Sequence, residues 1–169
     1  MKIAVIDYKM SNMFSIRNAI NLLGFNCRVT SDPKTILSSQ GVVLPGVGSF
    51  PEAMRQLREM GLIKVIKEFI DSGKPFMGIC LGMQLLFSKS EEFDECEGLG
   101  LIDGSVIGFA NYNLSVSVPH VGWNTIINQN IKGHNYSITP PNFKLVEDYY
   151  YFVHSFFVKP DNKDIIFTT

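Results

Sequence analysis

Along the first ninety residues, continuous apolar runs take turns with apolar stripes of helical period. "KIAVIDY" at 2–8 is a β-branched run that closes on a polar turn. In "SNMFSIRNAINLLG", Met13, Ile16, Ile20 and Leu23 fall at helical spacing and the pattern stops at Gly24. Strand, turn and helix are predicted. "NCRVTSD" and "GVVLPG" read as short buried strands. "FPEAMRQLREMGLIKVIKEFIDSGKP" reads as helix, broken near Gly61 and ended by Ser72 and Gly73 with Pro75 beyond. "PFMGI" is the next strand and "LGMQLLFSKS" the next helix. The βαβ rhythm predicts a flavodoxin-like α/β fold, a mainly parallel sheet with helices on both faces. Chemistry is then expected at the carboxyl ends of the strands.

From about Glu91 the texture changes. "EEFDECEGLG" is an acidic loop with glycines, whereas "SVIGFA", "VGWNTII" and "YYYFVHSFFV" read as antiparallel strands. Between the last two, "NQNIKGHNYSITPPNFK" reads as loop with at most local order. No repeat, low-complexity tract or linker divides the chain, so residues 1–169 are expected to form a single domain.

Composition narrows the function. At 46% hydrophobic and 18% charged, 169 residues bury a core rather than form a disordered tail. Fifteen Lys and Arg against 16 Asp and Glu, without a basic cluster, speak against nucleic acid as partner. Cys27, Cys80 and Cys96 are odd in number and lack metal-ligand spacing, so neither a disulfide framework nor a metal site is expected. A reducing cytoplasm fits best. The N-terminal apolar stretch is too short for a signal peptide, and no uncharged run reaches membrane-spanning length.

The candidate chemistry centres on "KPFMGICLGMQLLF" at 74–87. Here a strand meets a helix at "GICLG", the cysteine counterpart of a G-x-S-x-G nucleophile elbow. Such a turn exposes the side chain above the sheet edge and aims the following backbone N–H groups at the thiol, with Leu81 N–H as the oxyanion donor. The same residues also suit a small buried thiol, and the spacing alone leaves both open. "VVLPGVGSF" at 42–50 is another strand ending in a Gly-rich turn, whose N–H groups could line the opposite wall.

Taken in order along the whole chain, "IDYKMSN", "LPGVGSF", "GICLGMQLLF", "EGLGLI", "VPHVGWN" and "YFVHSF" resemble the class I, triad-type glutamine amidotransferases. The last two resemble in particular the glutaminase subunits of imidazole glycerol phosphate synthase. The resemblance implies hydrolysis of glutamine to glutamate and ammonia through a thioester on Cys80, with the ammonia passed to a cyclase-type synthase in histidine biosynthesis. That partner would be a (β/α)8 barrel on another chain, forming a heterodimer. Matched motif by motif, Val47 and Leu81 would supply the oxyanion-hole N–H groups, and Gly48, Gln84 and Glu92 would hold the glutamine. The chemistry suits these roles: Glu92 and Gln84 offer acceptors to an α-ammonium, and the backbone at Ser155 and Phe156, after His154, offers donors to an α-carboxylate. Glu92 also reads as one solvated member of an acidic run. His154 would shape the pocket. Asn12, Trp123 and His120 would face the partner or the ammonia exit, although His120 suits a satisfied loop histidine equally, and His134 would face solvent. No cofactor is implied.

The same resemblance exposes two departures. In the family the base and its orienting acid come from an H-P-E motif after the last segment matched here, and this sequence contains none. The chain therefore reads as a member lacking its C-terminal part, with trace glutaminase activity at most and reduced stability. Lys9 and Ser11 stand where the family usually has glycines, in the loop that faces the synthase, which leaves open a partner that amidates a surface-sugar precursor. A binding-only subunit without turnover is a further reading. A nucleotide-binding flavodoxin-like domain is disfavoured, because no G-x-G-x-x-G follows the first strand and "GVGSF" lacks the Lys of a P-loop.

Overall fold

The computed structural model describes residues 1–112, 117–125 and 149–162. Four strands, β1 (Lys2–Ile6), β2 (Asn26–Thr30), β3 (Gly41–Leu44) and β4 (Phe76–Gly78), form a parallel sheet in the order β2-β1-β3-β4. Side chains alternate across it as strand periodicity requires. Ala4, Ile6, Val42 and Leu44 point into a core shared with α2 (Pro33–Ser38), α3 (Phe50–Glu59) and α4 (Leu62–Asp71). Val5 and Val43 point the other way, packing on Ile16 and Ile20 of α1 (Met13–Leu22). Helices thus cover both faces, as the alternation of runs and stripes predicts.

The helix starts are set by local chemistry. Asn12 accepts from Ser15 N at 3.3 Å to cap α1, and Asp32 accepts from Thr35 N at 2.9 Å to cap α2, where Pro33 supplies a preset first turn. Left-handed Gly61, at φ 67°, separates α3 from α4 where the sequence pattern breaks.

A second sheet, ordered β10-β7-β5-β6, combines β5 (Phe87–Ser90), β6 (Cys96–Glu97), β7 (Ile102–Gly108) and β10 (Phe156–Pro160). Strands β8 (His120–Thr125) and β9 (Tyr149–His154) form an antiparallel ribbon. The mixture of parallel core and later antiparallel strands agrees with the sequence reading.

One element does not. The helix expected over 81–90 is a single turn, α5 (Leu81–Gln84), after which the chain extends into β5. Phe87 and Ser90 are buried on this strand, which pairs in parallel with β7 and antiparallel with β6. Tertiary pairing overrides the helical spacing. The segment expected as loop over 128–144, with His134, lies outside the described residues.

Candidate active site at Cys80

Both turns singled out by the sequence lie at the carboxyl edge of the parallel sheet. β4 ends at Gly78 and delivers Cys80 into α5, while β3 ends at Leu44 and delivers the 45–49 turn into α3. Cys80 has φ 54° and ψ −119°, a conformation rarely taken by a residue with a side chain and costing about 1–3 kcal/mol. It is held there by α5, since Met83 N and Gln84 N both donate to Cys80 O, at 2.9 and 3.1 Å. The thiol is exposed.

The flanking glycines have steric reasons. A Cβ on Gly78 would lie 2.7 Å from Met83 Cα, and one on Gly82 would collide with the Leu44 carbonyl. The elbow and the end of β3 are thus in direct backbone contact, tied also by Ile79 N donating to Leu44 O at 3.0 Å. At the first position of α5, Leu81 N–H is among the donors a helix leaves unused.

Val47 stands differently. Its N–H donates to Met10 O at 2.8 Å, so in this conformation it is turned toward the β1–α1 loop. Gly48 follows at φ 102°, with Met10 Cε 3.0 Å from where its Cβ would be. Lys9 itself takes a left-handed φ of 69° and donates its N–H to Asp7 Oδ1 at 3.1 Å.

Glu92 is placed at the start of α3, where its Oε2 accepts from Phe50 N at 2.7 Å. Ser49, the formal cap residue, makes no side-chain bond, so the carboxylate performs that task from across the chain. Ser90 Oγ accepts from Glu92 N at 3.1 Å and fixes the loop. This is more than a solvated acidic run, and it leaves Oε1 of Glu92 for other partners.

Gln84 Nε2 donates to Phe156 O at 3.3 Å, joining α5 to β10. His154 Nδ1 lies 3.0 Å from the same carbonyl, and His154 Nε2 lies 3.0 Å from His120 Nδ1. A carbonyl only accepts, so His154 carries its proton on Nδ1 and His120 donates to Nε2. Among the described residues neither histidine is bonded to Cys80. His120 is a satisfied, half-buried histidine of the ribbon, and Ser155 O accepts from Phe109 N at 3.0 Å.

Beside Trp123, which the motifs singled out, the ribbon adds Val121, Tyr151 and Val153, which motif reading missed. Register pairs Val121 with Val153 and Trp123 with Tyr151, and all four are more than half exposed, Trp123 at 70%. Alternation in "HVGWNT" and "YYYFVH" carries this signal. Asn12 is exposed but already employed as a cap. Among the described residues no helix is long and apolar enough to cross a membrane, and no group of three His, Cys, Asp or Glu side chains gathers as for a metal.

Residues 4–169 match the family model for glutamine amidotransferase class-I. A similar protein from Sulfurimonas denitrificans, the imidazole glycerol phosphate synthase subunit HisH, is 46% identical over 169 residues, covering 97% of this chain and 77% of that one. Its counterpart from Caldanaerobacter subterraneus subsp. tengcongensis is 44% identical over 164 residues, covering 96% and 75%. Among solved structures, PurLQS from Thermotoga maritima superposes with a TM-score of 0.65 at 19% identity, over 96% of this chain and 70% of that one. A glutamine amidotransferase crystal structure gives 0.60 at 15% identity, over 76% and 66%. The structures speak for the fold, the sequences for kinship: the chain belongs to the class I glutamine amidotransferases, in the family of the HisH subunit.

Proposed function

We propose that this chain is the glutaminase subunit of an imidazole glycerol phosphate synthase, releasing ammonia from glutamine for a cyclase partner in histidine biosynthesis. The observation that carries the reading is Cys80, an exposed thiol in a strained left-handed backbone between the end of β4 and α5. Relatives that bear the synthase name favour this pathway over amidation of a sugar precursor.

The Cys80 thiolate attacks the side-chain amide carbon of glutamine, and the developing oxyanion is met by Leu81 N–H. The C–N bond then breaks, ammonia leaves with the proton it takes up, and water cleaves the thioester to glutamate. Glu92 and Gln84 accept from the substrate ammonium, while Gly48 and the backbone at Ser155 and Phe156, shaped by His154, hold the rest of the amino acid. For Val47 N–H to join Leu81 as a donor, its bond to Met10 O has to break. Met10 lies in the β1–α1 loop, beside Lys9 and Asn12, so a partner touching that loop would act on the oxyanion hole.

The partner would be a (β/α)8 cyclase docking as a heterodimer on the exposed apolar ribbon around Trp123, with His120 and Asn12 nearby in role. Among the described residues neither histidine is placed to serve as the general base for Cys80. His120 and His154 bond to each other, and the 169-residue sequence holds no H-P-E motif.

Ammonia release from L-glutamine, measured with and without a cyclase partner, tests the reading. Whatever turnover the chain supports should vanish in Cys80→Ala. Turnover that persists in Cys80→Ala would refute it.

A further inference from the structure

Tyr8 lies just beyond β1, is fully buried, and donates its hydroxyl to Pro45 O at 2.7 Å. The phenol oxygen directly abuts the next residue, because a Cβ on Gly46 would lie 2.5 Å from it. The same imagined atom would lie 2.9 Å from Gly82 N and 2.9 Å from Leu81 Cβ, so the 45–46 backbone is wedged between Tyr8 and the start of α5. Burial foremost, and the charge of nearby Cys80 next, push the phenol above its ordinary range, so it stays a donor at any working pH.

Pro45 has no N–H and a fixed φ, and its carbonyl is tied by Tyr8. Two residues on from Tyr8, Met10 O holds Val47 N–H. Once the Met10 tie breaks, the Gly46–Val47 peptide unit can turn beside the anchored Pro45 carbonyl, and glycine permits the rotation.

We infer that Tyr8 is a positioning residue for the wall opposite Cys80: its hydroxyl fixes the Pro45 carbonyl, so that Val47 N–H changes from Met10 O to the reacting oxygen by rotation of one peptide unit. The inference rests on the glutaminase reading, in which Val47 is an oxyanion donor. Without the hydroxyl, the whole 45–47 segment shifts and the donor misses its mark.

The test compares two reagents on Cys80 in the 169-residue chain and its Tyr8→Phe variant, with adducts located by peptide mass mapping. The chloromethyl ketone analogue of L-glutamine adds through a tetrahedral oxyanion, whereas iodoacetamide is displaced directly and forms none. Tyr8→Phe is expected to slow the ketone roughly tenfold, through misplacement of one donor, and to leave the iodoacetamide rate unchanged. Equal ketone rates in the two proteins, or equal slowing with both reagents, would overturn the inference. If the unsubstituted protein itself shows no preference of the ketone for Cys80 and no protection by L-glutamine, the glutaminase reading fails and Tyr8 with it. Should Tyr8→Phe not fold, 3-fluorotyrosine placed at position 8 keeps the ring and strengthens the donor. The ketone rate should then match or exceed that of the unsubstituted protein, and a fall would count against the role of the hydroxyl.

Discussion

The proposed nucleophile is defined by its backbone before its side chain. Cys80 takes a left-handed φ because α5 begins immediately and Gly78 and Gly82 let the strand, turn and helix approach without a Cβ between them. Gly82→Ala would drive a methyl group into the Leu44 carbonyl and should cost about 2–3 kcal/mol, read by thermal unfolding. Thiol chemistry separates the cysteines. Burial pushes the Cys27 thiol up, with Arg17 pulling partly back, while Cys80 is exposed. Iodoacetamide at neutral pH should therefore label Cys80 well before Cys27, as resolved by peptide mapping. "GICLG" was legible as an elbow because two glycines around one cysteine have a steric meaning. The direction of Val47 N–H was not, since the rotation of a peptide unit leaves no mark on side-chain pattern.

At the scale of elements, the sequence revealed those with a long period and missed those settled by distant partners. α3 and α4 and the break at Gly61 follow from spacing and a glycine. α2 was missed because six residues carry too little periodicity, although Asp32 and Pro33 are a cap signal. The stretch from Phe87 became a strand because β6 and β7 pair with it. Glu92 belongs to this class also, capping α3 across 42 positions of sequence. Glu92→Ala should cost about 1 kcal/mol in unfolding through loss of that cap, whereas Glu92→Gln keeps an acceptor and should cost less. If Glu92 also receives the substrate ammonium, both should weaken glutamine binding by calorimetry, because both lose its charge. On the outer face of α3, Arg55 foremost and Gln56 next hold the Glu52 carboxyl down to about 2, from an ordinary 4.5. A depressed carboxyl stabilises the fold above its unfolded value and ceases to do so as pH falls through the folded one. The melting difference between the protein and Glu52→Gln should thus be small at neutral pH, given the exposure, and close as pH drops from 4.5 to about 2.

In the whole molecule, the parallel sheet brings the ends of β3 and β4 together and makes one site from two distant motifs. The antiparallel ribbon presents an apolar face of Val121, Trp123, Tyr151 and Val153 that no monomer needs. If this face receives the cyclase, Trp123→Ala should weaken the complex by about 2 kcal/mol or more with little change in the melting temperature of the free chain, as measured by titration calorimetry and thermal unfolding. The central claim is that Cys80 is the glutamine-directed nucleophile. Its most direct measurement is peptide mass mapping of the 169-residue chain after exposure to the chloromethyl ketone analogue of L-glutamine, with and without L-glutamine itself. A glutamine-directed site gives one adduct, on the Cys80 peptide, suppressed by L-glutamine. Adducts spread over Cys27, Cys80 and Cys96 according to exposure, and indifferent to L-glutamine, would contradict it.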